Sequence, residues 1–111
     1  MPFLSPASHT TQPADEAVNF DKTLAVAATA EVLFSVPTGK FLRGLALLNE
    51  GPGDARISVV AGAAPDATSI MLKPGESTGL DGLELAEGDY EFVNVTAGKK
   101  PRVRGTAQVG P

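Results

Sequence analysis

The sequence predicts an all-β fold, an antiparallel β-sandwich or jelly roll of about eight short strands with an extended N-terminal arm. Three observations carry this expectation. From Thr23 onward, short apolar or alternating runs are separated by Gly, Pro, Asn and Asp, the pattern of strands joined by turns. Turn formers are abundant, with Gly 12 and Pro 9 in 111 residues. No segment holds a helical period: the most alanine-rich stretch, AGAAPDAT, is broken by Pro65 and flanked by Gly62.

Residues 1–22, MPFLSPASHTTQPADEAVNFDK, carry three prolines among Ser, Thr, Gln and Asp, with no sustained period. They read as an extended arm preceding a sandwich domain at 23–111. Its apolar residues Phe3, Leu4, Val18 and Phe20 suit anchors that order on a partner. The expected strands are TLAVA (23–27), EVLFSV (31–36), FLRGLALLN (41–49), ARISVVA (55–61), TSIMLK (68–73), GLELA (82–86), DYEFVNVT (89–96) and PRVRGTAQV (101–109).

Alternation assigns faces. Val32, Phe34 and Val36 point one way, and Leu45 and Leu47 share a face with Phe41 and Arg43. Ile57 with Val59, Ile70 with Leu72, and Tyr90 with Phe92 complete the expected core. FLRGLALLN is apolar on both faces apart from Arg43, so its second side is expected to be covered by another sheet or by a neighbouring subunit. In DYEFVNVT the apolar phase shifts between Phe92 and Val93, which suggests a β-bulge or a strand end.

VPTGKFLRG has the flavour of a phosphate loop, but a strand follows Lys40 where that loop needs a helix. With proline second and glycine fourth, Val36 to Gly39 suits a type I turn. Related turns recur at Asn49–Asp54, Lys73–Glu76 and Ala97–Pro101.

Composition excludes several functions. Cysteine is absent, so there are no disulfides, thiolate metal sites or thiol nucleophiles. A formal net charge of -4 argues against a general nucleic-acid binder. The longest apolar stretch falls short of the ~20 residues of a membrane helix, and no basic-then-apolar leader opens the sequence, so a soluble, unprocessed chain is expected.

Catalytic signals are weak. The sole histidine, His9, lies in the arm without a second imidazole, and no serine sits in a nucleophile elbow. Asp81, Glu84, Glu87, Asp89 and Glu91 cluster in LDGLELAEGDYE, where Glu84 and Glu91 would have to line one face to act as a carboxylate pair. A solvated acidic edge is the expectation, and the segment lacks the spacing of a calcium loop. No catalytic residue, metal or cofactor is assigned, and the protein is expected not to be an enzyme. Asn94-Val95-Thr96 matches a glycosylation acceptor.

Four of the nine basic residues, Lys99, Lys100, Arg102 and Arg104, fall in one six-residue window. Arg102 and Arg104 share a strand face. The group reads either as a solvent face paired with acids of the same molecule or as a contact for an acidic partner surface, including a second copy.

The arm, AEVLFSVPTGKFLRGLALLNEGPGDARISVV and LKPGESTGLDGLELAEGDYEFVNVTAG together resemble small structural proteins of tailed bacteriophages. There, a strand ending in V-P-x-G-K leads into a long apolar strand closing on N-x-G, and later P-G-E and L-x-x-G-D turns follow. The resemblance covers roughly residues 30–97. It implies a non-enzymatic virion protein on the capsid surface, a decoration or cement protein that stabilises the assembled head. Its implied partners are the major capsid protein and copies of itself, most often as a trimer, with Phe3 to Phe20 as the strap and no nucleic acid or membrane involved. The alternative it implies is a receptor- or carbohydrate-binding sandwich of a tail or head fibre.

Overall fold

The computed structural model describes residues 15–111. Eight strands form two antiparallel sheets, with no helix among the described residues. They are β1 (Glu16–Thr23), β2 (Glu31–Val36), β3 (Phe41–Asn49), β4 (Ala55–Ile57), β5 (Ile70–Leu72), β6 (Ser77–Leu80), β7 (Gly88–Asn94) and β8 (Arg102–Gly110). The front sheet has the order β1-β8-β3-β6 and the back sheet β2-β7-β4-β5. The pairing is nested, β1 with β8, β2 with β7, β3 with β6 and β4 with β5, as though one long ribbon had been folded in half and wrapped into two layers.

Two expected strands are replaced by others, and ARISVVA is a strand only over Ala55–Ile57. Residues 16–22, drawn as part of an arm, belong to the sandwich, because all of Glu16–Thr23 pairs with β8, from Glu16 opposite Val109 to Thr23 opposite Arg102. Val18 and Phe20 are therefore not free anchors. They lie half-buried on the inner face, where the Phe20 ring stacks on Phe34 with centroids 5.0 Å apart. Phe3, Leu4 and His9 lie outside the described residues. Of TLAVA, Thr23 ends β1 and Ala27 forms an isolated bridge to Asn94, while GLELA keeps only a bridge from Leu85 to Leu42. In place of GLELA the front sheet takes β6, STGL, whose alternation is too short to read.

The core lies between the sheets. Leu42, Leu45, Leu47, Val103, Ala107 and Val109 face Phe34, Val36, Ile57, Leu72, Tyr90 and Phe92, all buried. Phe34 stacks in turn on Tyr90 at 5.0 Å, so three rings cross the sandwich from β1 to β7.

Bulges correct the expected faces. A register shift between Leu42 and Gly44 lets Leu42 join Leu45 and Leu47 inside, which leaves Phe41 39% exposed with the Arg43 guanidinium 4.9 Å above its ring. A second shift, between Val32 and Phe34, buries both Leu33 and Phe34. The phase change at Phe92–Val93 is not a bulge in β7: alternation continues, and the inward position after Phe92 is the buried Asn94.

The turn after β2 is also displaced by one residue. Lys40 N–H donates to the Pro37 carbonyl at 3.2 Å, and Gly39 takes φ +84°. Glycine thus sits at the third turn position with positive φ, as in a type II turn.

Candidate interaction surface

The outer face of the front sheet is assembled from side chains that alternate with core residues. Register aligns them in rows: Asp21, Arg104, Leu48 and Ser77 form one, and Asn19, Thr106, Ala46 and Gly79 the next. A third joins Ala17, Gln108 and Gly44. Along the middle, Ala46 and Gly79 carry at most one side-chain carbon, so the face dips into an open groove of about 670 Å³ running across all four strands. Ala46 is exposed and Leu48 half-buried, while Gly44 is buried, so the second side of β3, expected to be covered by another sheet or by a neighbouring subunit, is uncovered around Ala46 and Leu48 among the described residues.

A Cβ at Gly105 would collide with the Ala46 carbonyl and crowd the Phe20 ring at 3.1 Å, so glycine there lets β8 close on β3.

One end of the face is strongly ionic. Arg102 binds Asp21 with two nitrogens, at 2.8 and 2.5 Å, and reaches Glu50 at 3.4 Å, while Arg104 Nε contacts Glu50 at 2.5 Å. The hydrogen bond from Arg102 holds the Asp21 carboxyl below the usual carboxylate range, with the charges of Arg102 and Arg104 adding to it, and Asp21 raises Arg102 in return. At the other end of β1, Lys40 pairs with Asp15 at 2.8 Å and Glu16 at 3.1 Å, bonds that raise the lysine.

The structure therefore divides the basic window. Arg102 and Arg104 share the outer face of β8, as expected, but both are bound by acids of their own molecule. Lys99 and Lys100 lie on the exposed loop before β8 and form no ion pair among the described residues.

The acidic segment does not form a carboxylate pair. Glu84 lies beside β3, 3.4 Å from Arg43, where Leu83 N–H also bonds the Arg43 carbonyl. Glu91 belongs to β7 in the opposite sheet. Glu87 accepts from Gly39 N–H at 3.0 Å and Asp89 from the Ser35 hydroxyl at 2.6 Å, so each carboxylate secures a local turn or strand end. No group of three metal-ligating side chains occurs among the described residues.

The glycosylation match at Asn94 is also structural. The side chain is fully buried, donating to the Lys99 carbonyl at 2.6 Å and accepting from Thr96 N–H at 3.0 Å.

Sequence reasoning named none of the groove residues Ala46, Gly79 and Thr106. Small side chains carry no chemical signature. The available signal was the two-sided apolar character of FLRGLALLN, which called for a cover without locating it.

No protein-family profile matches the chain, and no curated protein matches it by sequence. Among solved structures it is similar to a protein of the Bacillus endospore appendages, described as a novel family of disulfide-linked pili. The TM-score is 0.53 at 14% identity, over 93% of this chain and 94% of that one. At that identity the likeness defines the fold, a two-sheet β protein. The disulfides named for that family have no counterpart here, because this chain contains no cysteine.

Proposed function

We propose that this is a non-enzymatic structural protein that works by assembly, docking the bare outer face of its front sheet on a larger protein particle. The observation that carries the reading is the uncovered second side of β3. A strand apolar on both faces sits mid-sheet, yet its outer positions Ala46 and Leu48 meet an open groove. The nested strand pairing supports a jelly roll, an architecture frequent in shell-building proteins.

Combined with the bacteriophage resemblance, the surface fits a capsid decoration protein on the virion exterior, with the major capsid protein and further copies of itself as partners. Binding only the assembled shell stabilises that shell by mass action, and many copies on a lattice make modest single contacts sufficient. A fibre or tail module is the second reading, favoured by the likeness to a pilus protein.

Co-sedimentation with empty heads of tailed bacteriophages, followed by melting of the heads, tests the decoration role. The expected result is saturable binding that raises the melting temperature of the heads. Absence of binding to heads, with binding to a glycan panel, would replace it by the fibre reading.

A further inference from the structure

Strand β1 leaves one edge of the front sheet open. Among the described residues it pairs within that sheet only with β8. The Leu24 N–H donates to the Pro101 carbonyl at 3.0 Å, continuing the register of that ladder. In an antiparallel ladder, alternate residues turn both main-chain groups toward the partner. Counting back from Leu24, the even-numbered residues of β1 bond to β8, and Ala17, Asn19, Asp21 and Thr23 present N–H and C=O to the open side. The strand runs 8 residues without proline or register shift, unlike the short or bulged edges by which sheets usually avoid pairing. Lys22, the side chain best placed to block it, is folded over onto the Val32 carbonyl of β2 at 2.9 Å.

We infer that this edge pairs antiparallel with β1 of a second copy, about a two-fold axis through Asn19. The inference builds on the assembly reading of the front sheet and names one partner in it, another molecule of this chain. A two-fold axis normal to the sheet keeps both cores on the same side, so the axis must pass through a residue, and the neighbouring choices are Val18, Asn19 and Phe20. An axis at Val18 sets Glu16 against Phe20 of the other copy, and one at Phe20 sets Lys22 against Val18. An axis at Asn19 sets Glu16 against Lys22, Val18 against Phe20, and Ala17 against Asp21, each twice.

The Asn19 register is self-complementary in charge and in apolar contact. Its apolar pairs fall at non-hydrogen-bonded positions, where opposed side chains approach most closely. Lys40 occupies Oε1 of Glu16, and Oε2 is the atom offered to Lys22 of the other copy. Asp21 keeps its bond to Arg102 because it meets only the methyl of Ala17. The front sheets of two copies then become one continuous sheet, doubling the outer face. Such a contact is isologous and closes at two chains, whereas a three-fold ring needs a heterologous contact.

The absence of native cysteine makes the register testable by cross-linking. Residue 19 would lie about 5.5 Å in Cα separation from its symmetry mate, within disulfide reach. Residues 17 and 21 would each lie roughly 14 Å from their own mates. On mild oxidation, Asn19→Cys should form the linked dimer at least tenfold faster than Ala17→Cys or Asp21→Cys, and an equimolar mixture of the latter two should link to each other. Equal rates in all, or no linkage in any, would overturn the proposal.

Charge reversal gives an independent reading by solution mass. Wild-type protein should show the mass of two chains, with a monomer or a trimer counting against the inference. Glu16→Lys and Lys22→Glu should each weaken self-association tenfold or more, and mixing them should restore a heterodimer through Lys–Glu pairs. Failure of the mixture to recover would also overturn it. Binding of the wild type to phage heads is read separately, so failure of the pairing and failure of the assembly role are distinguishable.

Discussion

Replacing Asn49 with alanine should remove about 3 kcal/mol of stability, the sum of three hydrogen bonds made by one buried side chain at about 1 kcal/mol each. Asn49 closes β3 on the inner face and is fully buried. Its Nδ2 donates to the carbonyls of Gly53 at 2.9 Å and Leu72 at 2.8 Å, and its Oδ1 accepts from Gly51 N–H at 2.8 Å. Alanine leaves those three main-chain groups short of a partner inside the protein, and the cost approaches 5 kcal/mol if water cannot reach them. Asn94 gives an internal scale, since it makes two such bonds and should lose about 2 kcal/mol on the same change. The effect should also reach the ionic corner. Asn49 holds the loop bearing Glu50, whose N–H bonds the Arg102 carbonyl and whose carboxylate holds Arg102 and Arg104. Urea unfolding supplies both free energies, and hydrogen exchange at the Glu50 amide reports the loosened corner. A loss below about 1 kcal/mol for Asn49→Ala, or a larger loss for Asn94→Ala, would refute this hydrogen-bond accounting.

Gly105→Ala should cost about 1–3 kcal/mol, because its methyl meets the Ala46 carbonyl and β8 must move away from β3; an unchanged urea midpoint would contradict that close approach. The folded-state pKa of Asp21 is depressed from 3.8, so its contribution is present above that value and is lost as pH falls through the folded pKa. Acid titration of the unfolding midpoint should therefore be shallower below about pH 4 for Asp21→Asn than for wild type, and superimposable curves would dismiss the pair. Deleting residues 1–14, which leaves β1 whole, should preserve the urea midpoint and abolish attachment to phage heads; undiminished attachment would dismiss the strap.

Much of the sandwich was legible because its interior strands obey a period of two. EVLFSV and FLRGLALLN set β2 and β3 to the residue, and the Gly and Pro turns marked where they stop. Strand β1 was not legible, since an edge strand needs only one apolar face, and here Val18 and Phe20 alone supply it between charged ends. Local bulges misled the face assignment around Leu33 and Arg43, because a bulge follows from pairing with a distant strand. Asn94 disguised the phase of β7: a buried asparagine looks polar in sequence but serves as an inward, fully bonded core position. Of the candidate site, the shared face of Arg102 and Arg104 could be read. Their neutralisation by Asp21 and Glu50 depends on residues brought together only by the fold.

The central claim, assembly through the outer face of the front sheet, is tested most directly by Ala46→Arg. Ala46 is exposed at the centre of the groove, so a long charged side chain there obstructs docking without touching the core. Sedimentation of this variant with phage heads, beside its own urea unfolding, should show unchanged stability and loss of binding. Full binding by a stably folded Ala46→Arg protein would contradict the account.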